Sequence, residues 1–99
     1  MFEKAAFPIR NRQGIEPQIE VVQGWRTLTL GFHKIRNGKE WAATDLYSGT
    51  RICTGKTRQA CLVWISQNKE RIEEEFEKPT YIQKVVEFRD MLREELKAL

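Results

Sequence analysis

The hydrophobic positions of this chain follow two periods, two residues in the first half and 3.6 in the second. Between Trp25 and Arg36, Leu28, Leu30 and Phe32 fall on one parity, and Thr27, Thr29, Gly31 and His33 on the other. A period of two marks a half-buried strand. Asn37-Gly38 follows, and both residues accept positive φ, so the spacing predicts a type I′ hairpin turn. That turn sets Lys34 opposite Trp41 and Phe32 opposite Ala43, with Leu30 and Leu28 opposite Asp45 and Tyr47. A carboxylate sits badly on an apolar face. The second strand is therefore expected to end near Thr44, with Asp45 opening a turn that Ser48-Gly49 closes. The third strand is Thr50 to Thr54. One sheet face then carries Leu28, Leu30, Phe32, Trp41 and Ile52 toward a helix. The other carries Thr27, Thr29, His33, Thr44 and Arg51 toward solvent or a partner.

The period changes after Gly55, which breaks the third strand, and Thr57 is suited to cap a helix. Cys61, Trp64, Ile65, Asn68, Ile72 and Phe76 form one helical stripe that Pro79 ends. Thr80 with Gln83 has the spacing of a capping box for a second helix. Its stripe is Tyr81, Val85, Phe88, Leu92, Leu96 and Leu99, widened by Ile82, Val86 and Met91. Upstream, Met1 to Pro17 holds two prolines, Gly14 and scattered charge, and reads as an arm. Ile19 to Val22 has the pattern of a short edge strand, and Gly24 that of a bulge or turn. The expected fold is α+β. It comprises a three-stranded antiparallel sheet, extended if the N-terminal edge strand pairs, packed on one helix, plus a C-terminal helix. Residues 1–17 are the arm and 18–99 one domain: sheet 18–56, helices 57–78 and 80–98. The predicted core is Leu28, Leu30, Phe32, Trp41, Ile52, Trp64, Ile65 and Ile72.

Ninety-nine residues suit one domain with a modest core. No apolar run approaches the ~20 residues that span a bilayer. The first eight residues lack the apolar segment of a signal peptide, so a cytoplasmic location and no membrane partner are expected. Cys53 and Cys61 are the two cysteines, too few for a disulfide framework, and read as reduced thiols. Charge is asymmetric. Through Ala60 there are ten Lys/Arg against five Asp/Glu, and from Cys61 onward seven against nine. A basic sheet half beside a slightly acidic helical half suggests a polyanionic partner on the sheet side.

Candidate chemistry is sparse. Gly49 and Gly55 enclose five residues where a phosphate-binding loop needs four, and the chain is too short for the surrounding parallel sheet. Gly55 and Thr57 then serve as strand breaker and helix cap, leaving Lys56 and Arg58 beside a helix N-terminus suited to one backbone phosphate. His33, Cys53 and Cys61 lack the paired short spacings of a structural zinc site. Glu70, Glu73, Glu74, Glu75 and Glu77, with Lys69, Arg71 and Lys78, read as a solvated helix face. No acid/base or nucleophile set assembles, so no enzyme, cofactor, metal or small-molecule substrate is expected. What stands out is the basic set Arg26, Lys34, Arg36, Lys39, Arg51, Lys56 and Arg58, interleaved with Trp25, Trp41 and Tyr47. Basic side chains with aromatics on a small sheet suit nucleic acid. The plain alternative is a solvated strand edge whose charges deter aggregation.

The stretch from Trp41 through Gly49, Arg51, Gly55 and Thr57 to Ala60 resembles three-stranded-sheet DNA-binding units. These are the plant ethylene-response-type domains and the amino-terminal arm-binding domains of tyrosine integrases. The shared pattern is an aromatic strand, a glycine turn, a strand with a basic residue, a glycine, then a threonine-started helix with an early alanine. In those families the sheet lies in the DNA major groove. The resemblance implies that Arg51, with Arg26 or Lys34, would read the DNA. This chain departs in carrying Thr27, Thr29 and Thr44 on its outer face and in having a second helix. The first expectation is a small non-enzymatic DNA-binding protein of bacterial, phage or mobile-element type. The alternative is a protein–protein module or inhibitor acting through the C-terminal amphipathic helix. A homodimer would bury Tyr81, Val85, Phe88, Leu92 and Leu96, with Phe88 and Leu92 central.

Overall fold

The computed structural model describes residues 2–13 and 16–98. Gly14 of the expected arm and Leu99 of the expected stripe lie outside the described residues. The protein is α+β, with five strands followed by three helices. The strands are β1 (Glu3–Gln13), β2 (Glu16–Thr27), β3 (Leu30–Ile35), β4 (Glu40–Asp45) and β5 (Arg51–Gly55). The helices are α1 (Arg58–Gln67), α2 (Lys69–Glu77) and α3 (Pro79–Lys97). The sheet is an antiparallel meander in chain order, with five strands where three were expected. No helix among the described residues is long and apolar enough to cross a membrane.

The β3–β4 hairpin has the expected register: Leu30 opposes Asp45, Phe32 opposes Ala43 and Lys34 opposes Trp41. Asn37 (φ 59°) and Gly38 (φ 81°) take the positive φ expected of them, and the Arg36 carbonyl accepts from the Lys39 amide at 3.2 Å; Arg36 (φ 52°) is also left-handed, so the connection between Ile35 and Glu40 is wider than a two-residue turn. The Asp45 turn also forms where expected. The Asp45 carbonyl accepts from the Gly49 amide at 2.8 Å, and Gly49 (φ 70°) supplies the left-handed residue.

Three expectations fail for physical reasons. First, the strand expected from Trp25 to Arg36 is cut at Leu28-Thr29, a tight connection between Thr27 and its partner Leu30. Leu28 takes φ 52° and is 86% exposed, so it leaves the predicted core. Neither residue is a preferred turn former. The Leu46 amide holds the turn by donating to the Thr29 carbonyl at 2.9 Å. Second, residues 3–13 form β1 and not an arm. Pro8 is tolerated because β1 is a sheet edge, where a missing amide donor breaks no ladder. Third, the helix expected over 57–78 is two helices, broken at Asn68. The Asn68 side chain donates to the Trp64 carbonyl at 2.8 Å, beside the Asn68 amide at 3.0 Å, a side-chain bond to the backbone that competes with a continuous helix.

The long first hairpin decides the rest. β2 pairs with β3 only from Trp25↔Phe32 to Thr27↔Leu30. Gly24 then brings β2 so close to β3 that a Cβ there would lie 2.1 Å from the Phe32 carbonyl oxygen. Beyond it the hairpin leaves β3 and crosses the sheet's second face. The Phe7 ring reaches Gly31 and Leu46, and the Arg10 amide donates to the Gly49 carbonyl at 2.8 Å. The face expected to meet solvent is therefore partly internal: His33 and Thr44 are buried, as are Phe7 and Ile9 of the hairpin, and the Phe7 ring lies edge-on to His33. α1 covers the first face, packing Cys61, Leu62 and Ile65 against Phe32, Ala43 and Cys53. Trp64, predicted as core, is 38% exposed because α1 ends one turn later and α2 veers away. Ile52 and Ile72 are half-buried beside it.

α3 closes the other end. Phe88 is 1% exposed and fills the space that glycine leaves at position 49. Arg10 donates to the Lys84 carbonyl at 2.7 Å and pairs with Glu87 at 3.3 Å. The capping box expected at Thr80 does not form. The N-cap is Lys78, extended ahead of Pro79 as residues before proline are, and Pro79 opens the helix.

Candidate functional site

The basic residues singled out in the sequence do not share one surface. Their largest grouping surrounds Trp41. Register alone brings Lys34, Trp41 and Gly55 into one row across β3, β4 and β5, and Trp25 beside Phe32 in the next. Gly55 lets β5 run directly into α1, since a Cβ there would sit 3.1 Å from that of Ala60. Thr57 starts the helix as expected, its hydroxyl accepting from the Ala60 amide at 3.0 Å. Arg58, one residue later, is thereby laid over the aromatic row.

The Arg58 guanidinium carbon lies 4.6 Å from the Phe2 ring centre, 4.8 Å from Trp25 and 5.4 Å from Trp41. The Lys34 ammonium lies 5.5 Å from the Trp41 ring. Cations over aromatic faces are attracted by the ring quadrupole, by about 0.5–1 kcal/mol at exposed sites. The larger effect is positional. A guanidinium held by three rings has few rotamers left to lose when an anion arrives. Lys56 adds an exposed charge at the start of α1. Arg36 and Lys39 are exposed on the adjoining turn, where Arg36 neutralises Glu40 at 2.9 Å.

Arg51 and Arg26 stand elsewhere. Arg51 lies four residues before Gly55 on β5, ~13 Å away by strand rise. It faces a groove with Arg71 and Lys84 instead of joining the Lys34–Arg58 group. Arg26 is exposed on β2 beside the Leu28 turn. The expected helical interface is likewise divided. Phe88 packs inside its own chain, and Tyr81, Val85 and Leu92 are half-buried, leaving Leu96 exposed. The large apolar side chains exposed on α3 are Ile82, Val86 and Leu96.

Two further groupings stand outside these surfaces. Asp45 is buried, and its carboxylate accepts from the Ser48 amide at 3.2 Å, the Ser48 hydroxyl at 2.7 Å and the Tyr81 hydroxyl at 2.7 Å. The turn was legible; its role as the docking point of α3 was not, because Tyr81 lies 36 residues away. Burial, with Asp45 beside it, raises the Tyr81 phenol pKa. The second grouping is the thiol pair. Burial pushes Cys53 up to about 12 and raises Cys61, so both stay protonated and unreactive at neutral pH. Burial and the nearby Arg51 charge lower the His33 pKa, opposed by Glu20, and its Nδ1 has no hydrogen-bond partner among the described residues. No group of three or more His, Cys, Asp or Glu side chains among the described residues is placed to hold a metal ion.

No protein-family model matches this chain, and no similar curated protein or solved structure was found for it.

Proposed function

We propose that the protein is a small non-enzymatic DNA-binding protein that engages the phosphate backbone through the Lys34–Trp41–Lys56–Arg58 corner. The observation that supports this reading is the Arg58 guanidinium clasped by Phe2, Trp25 and Trp41, with Lys34 on the far ring. Two oriented cations, exposed Lys56 and the start of α1 converge there, and the α1 N-terminus adds its partial positive charge. Lys39 extends the positive surface along the hairpin turn, where Arg36 is paired with Glu40. Affinity would come chiefly from counterion release, and bases would be read only where strand side chains reach a groove.

Fluorescence anisotropy of a labelled duplex across a salt series tests this. Lys56→Ala, an exposed residue, should weaken binding and reduce the log–log salt slope by about 0.9 per lost phosphate contact. Lys69→Ala on α2 should change neither. Absence of duplex binding at low salt, or equal losses in the two variants, would sink the reading. The alternative, a protein–protein module acting through α3, keeps a narrower surface than the sequence suggested. Ile82, Val86 and Leu96 project from one side of that helix, with Arg89 and Arg93 between them by helical spacing. A dimer mass in light scattering that Val86→Glu abolishes would favour that alternative.

A further inference from the structure

Where α1, α2 and α3 turn around the edge of β5 they leave a groove of about 310 Å³. Its origin is the pair of helix breaks. Asn68 turns α2 away from α1, and Lys78-Pro79 turns α3 back, so the helices surround the edge strand without filling the space against it. The stacked rings of Phe76 and Tyr81, 4.3 Å apart, brace the second break. The Tyr81 hydroxyl is anchored to Asp45, which fixes that wall to the sheet. The floor is apolar, formed by Ile52, Trp64 and Ile72 with the Phe76 and Tyr81 rings.

The rim has the opposite character. Arg51, Arg71 and Lys84 line it from three different elements, and none forms an ion pair among the described residues. The one carboxylate on the rim, Glu75, pairs with Lys78 at 2.6 Å, and the Lys78 hydrogen bond, with smaller contributions from the Arg71 and Lys84 charges, lowers its pKa. On the helical half, Lys69, Lys78, Arg93 and Lys97 each meet a carboxylate on their own helix or the adjoining one, whereas Arg71 and Lys84 on this rim do not. Thr80 adds a hydroxyl to the same rim. Three basic donors against a single rim carboxylate, above an aromatic floor and in a volume at the lower end of small-molecule sites of about 300–1,000 Å³, define the ligand by complementarity.

We infer that this groove binds a small amphipathic anion, an aromatic or compact apolar body carrying one phosphate or carboxylate group. The apolar body would lie on Trp64, Ile72 and Phe76, and the anionic group would meet Arg51, Arg71 and Lys84. This site shares no residue with the Lys34–Arg58 corner.

The test uses 2-naphthyl phosphate as probe, with 2-naphthol and inorganic phosphate as its two halves. Binding is followed by amide chemical shifts of the full chain. The whole probe should bind more tightly than either half and shift amides in residues 50–52, 71–76 and 80–84. Arg71→Ala and Lys84→Ala should each weaken it about tenfold or more while leaving 2-naphthol unchanged. Equal affinity for 2-naphthyl phosphate and 2-naphthol would overturn the assignment, as would shifts centred on Trp41 and Arg58. Wild-type affinity in the double variant would do the same. A blocked Asp-Trp dipeptide binding more tightly than the probe would overturn the small-molecule class and point to a protein segment.

Discussion

Gly49 and Phe88 offer the sharpest test of how the helices are fixed to the sheet. A methyl group built on Gly49 would lie 2.4, 2.6 and 2.8 Å from three carbons of the Phe88 ring. The ring is 1% exposed, so it is enclosed by the protein and not free to swing into solvent. Gly49 also sits at φ 70°, where a side chain adds about 1–2 kcal/mol of backbone strain. Forcing a methyl into a filled site costs about 1–3 kcal/mol more. Gly49→Ala should therefore destabilise by about 2–5 kcal/mol, a large share of the 5–15 kcal/mol typical of such domains. Phe88→Ala should cost about 3–5 kcal/mol through the cavity it leaves. The decisive measurement is the double variant in urea or thermal unfolding. With the ring gone, the new methyl meets no obstacle, so only the φ strain remains. The double variant should thus be about 1–3 kcal/mol more stable than the sum of the single losses predicts, a coupling typical of residues in contact. Each 1 kcal/mol should appear as about 4–8 °C in Tm for a chain of this size. Additive losses within about 0.5 kcal/mol, or a neutral Gly49→Ala, would refute the packing described between α3 and the β4–β5 turn.

Two predictions concern titration. Burial lowers the His33 pKa below its ordinary 6.5, so the folded state binds this proton less readily than the unfolded chain. Stability should be full above pH 6.5 and decline as the pH falls below it; a urea midpoint identical at pH 7.5 and 5.5, or a decline unaltered in His33→Gln, would refute this. Cys53 is pushed the other way, to about 12, so native protein should resist iodoacetamide at pH 8 while urea-unfolded protein reacts readily. The protonated thiol stabilises the fold below the ordinary value of 9.0, and that contribution is lost as pH rises toward 12. Rapid labelling of both cysteines in native buffer at pH 8 would overturn the burial of this pair.

What the sequence determined by itself was local. Asn37-Gly38 set the β3–β4 register because only residues tolerant of positive φ close so tight a turn. Asp45 and Gly49 set the next turn, Thr57 the start of α1, and Pro79 the junction of α2 and α3. Each is decided by sterics and hydrogen bonds within about four residues. The composition of the Trp41 corner was also visible, since Trp25, Lys34, Trp41, Lys56 and Arg58 were all in the basic and aromatic set. Which face of the sheet stays wet was not visible. Alternation names a covered face only when the other is exposed. In β3, Gly31, Phe32 and His33 are all buried, because α1 covers one side and the β1–β2 hairpin crosses the other. The tertiary structure alone moved Leu28 into solvent, His33 into the interior, Arg51 to the groove and Phe88 against Gly49. Each depends on a contact between segments distant in sequence. Local periodicity reports how much of a residue can be buried, whereas the partner that buries it is chosen by long-range packing.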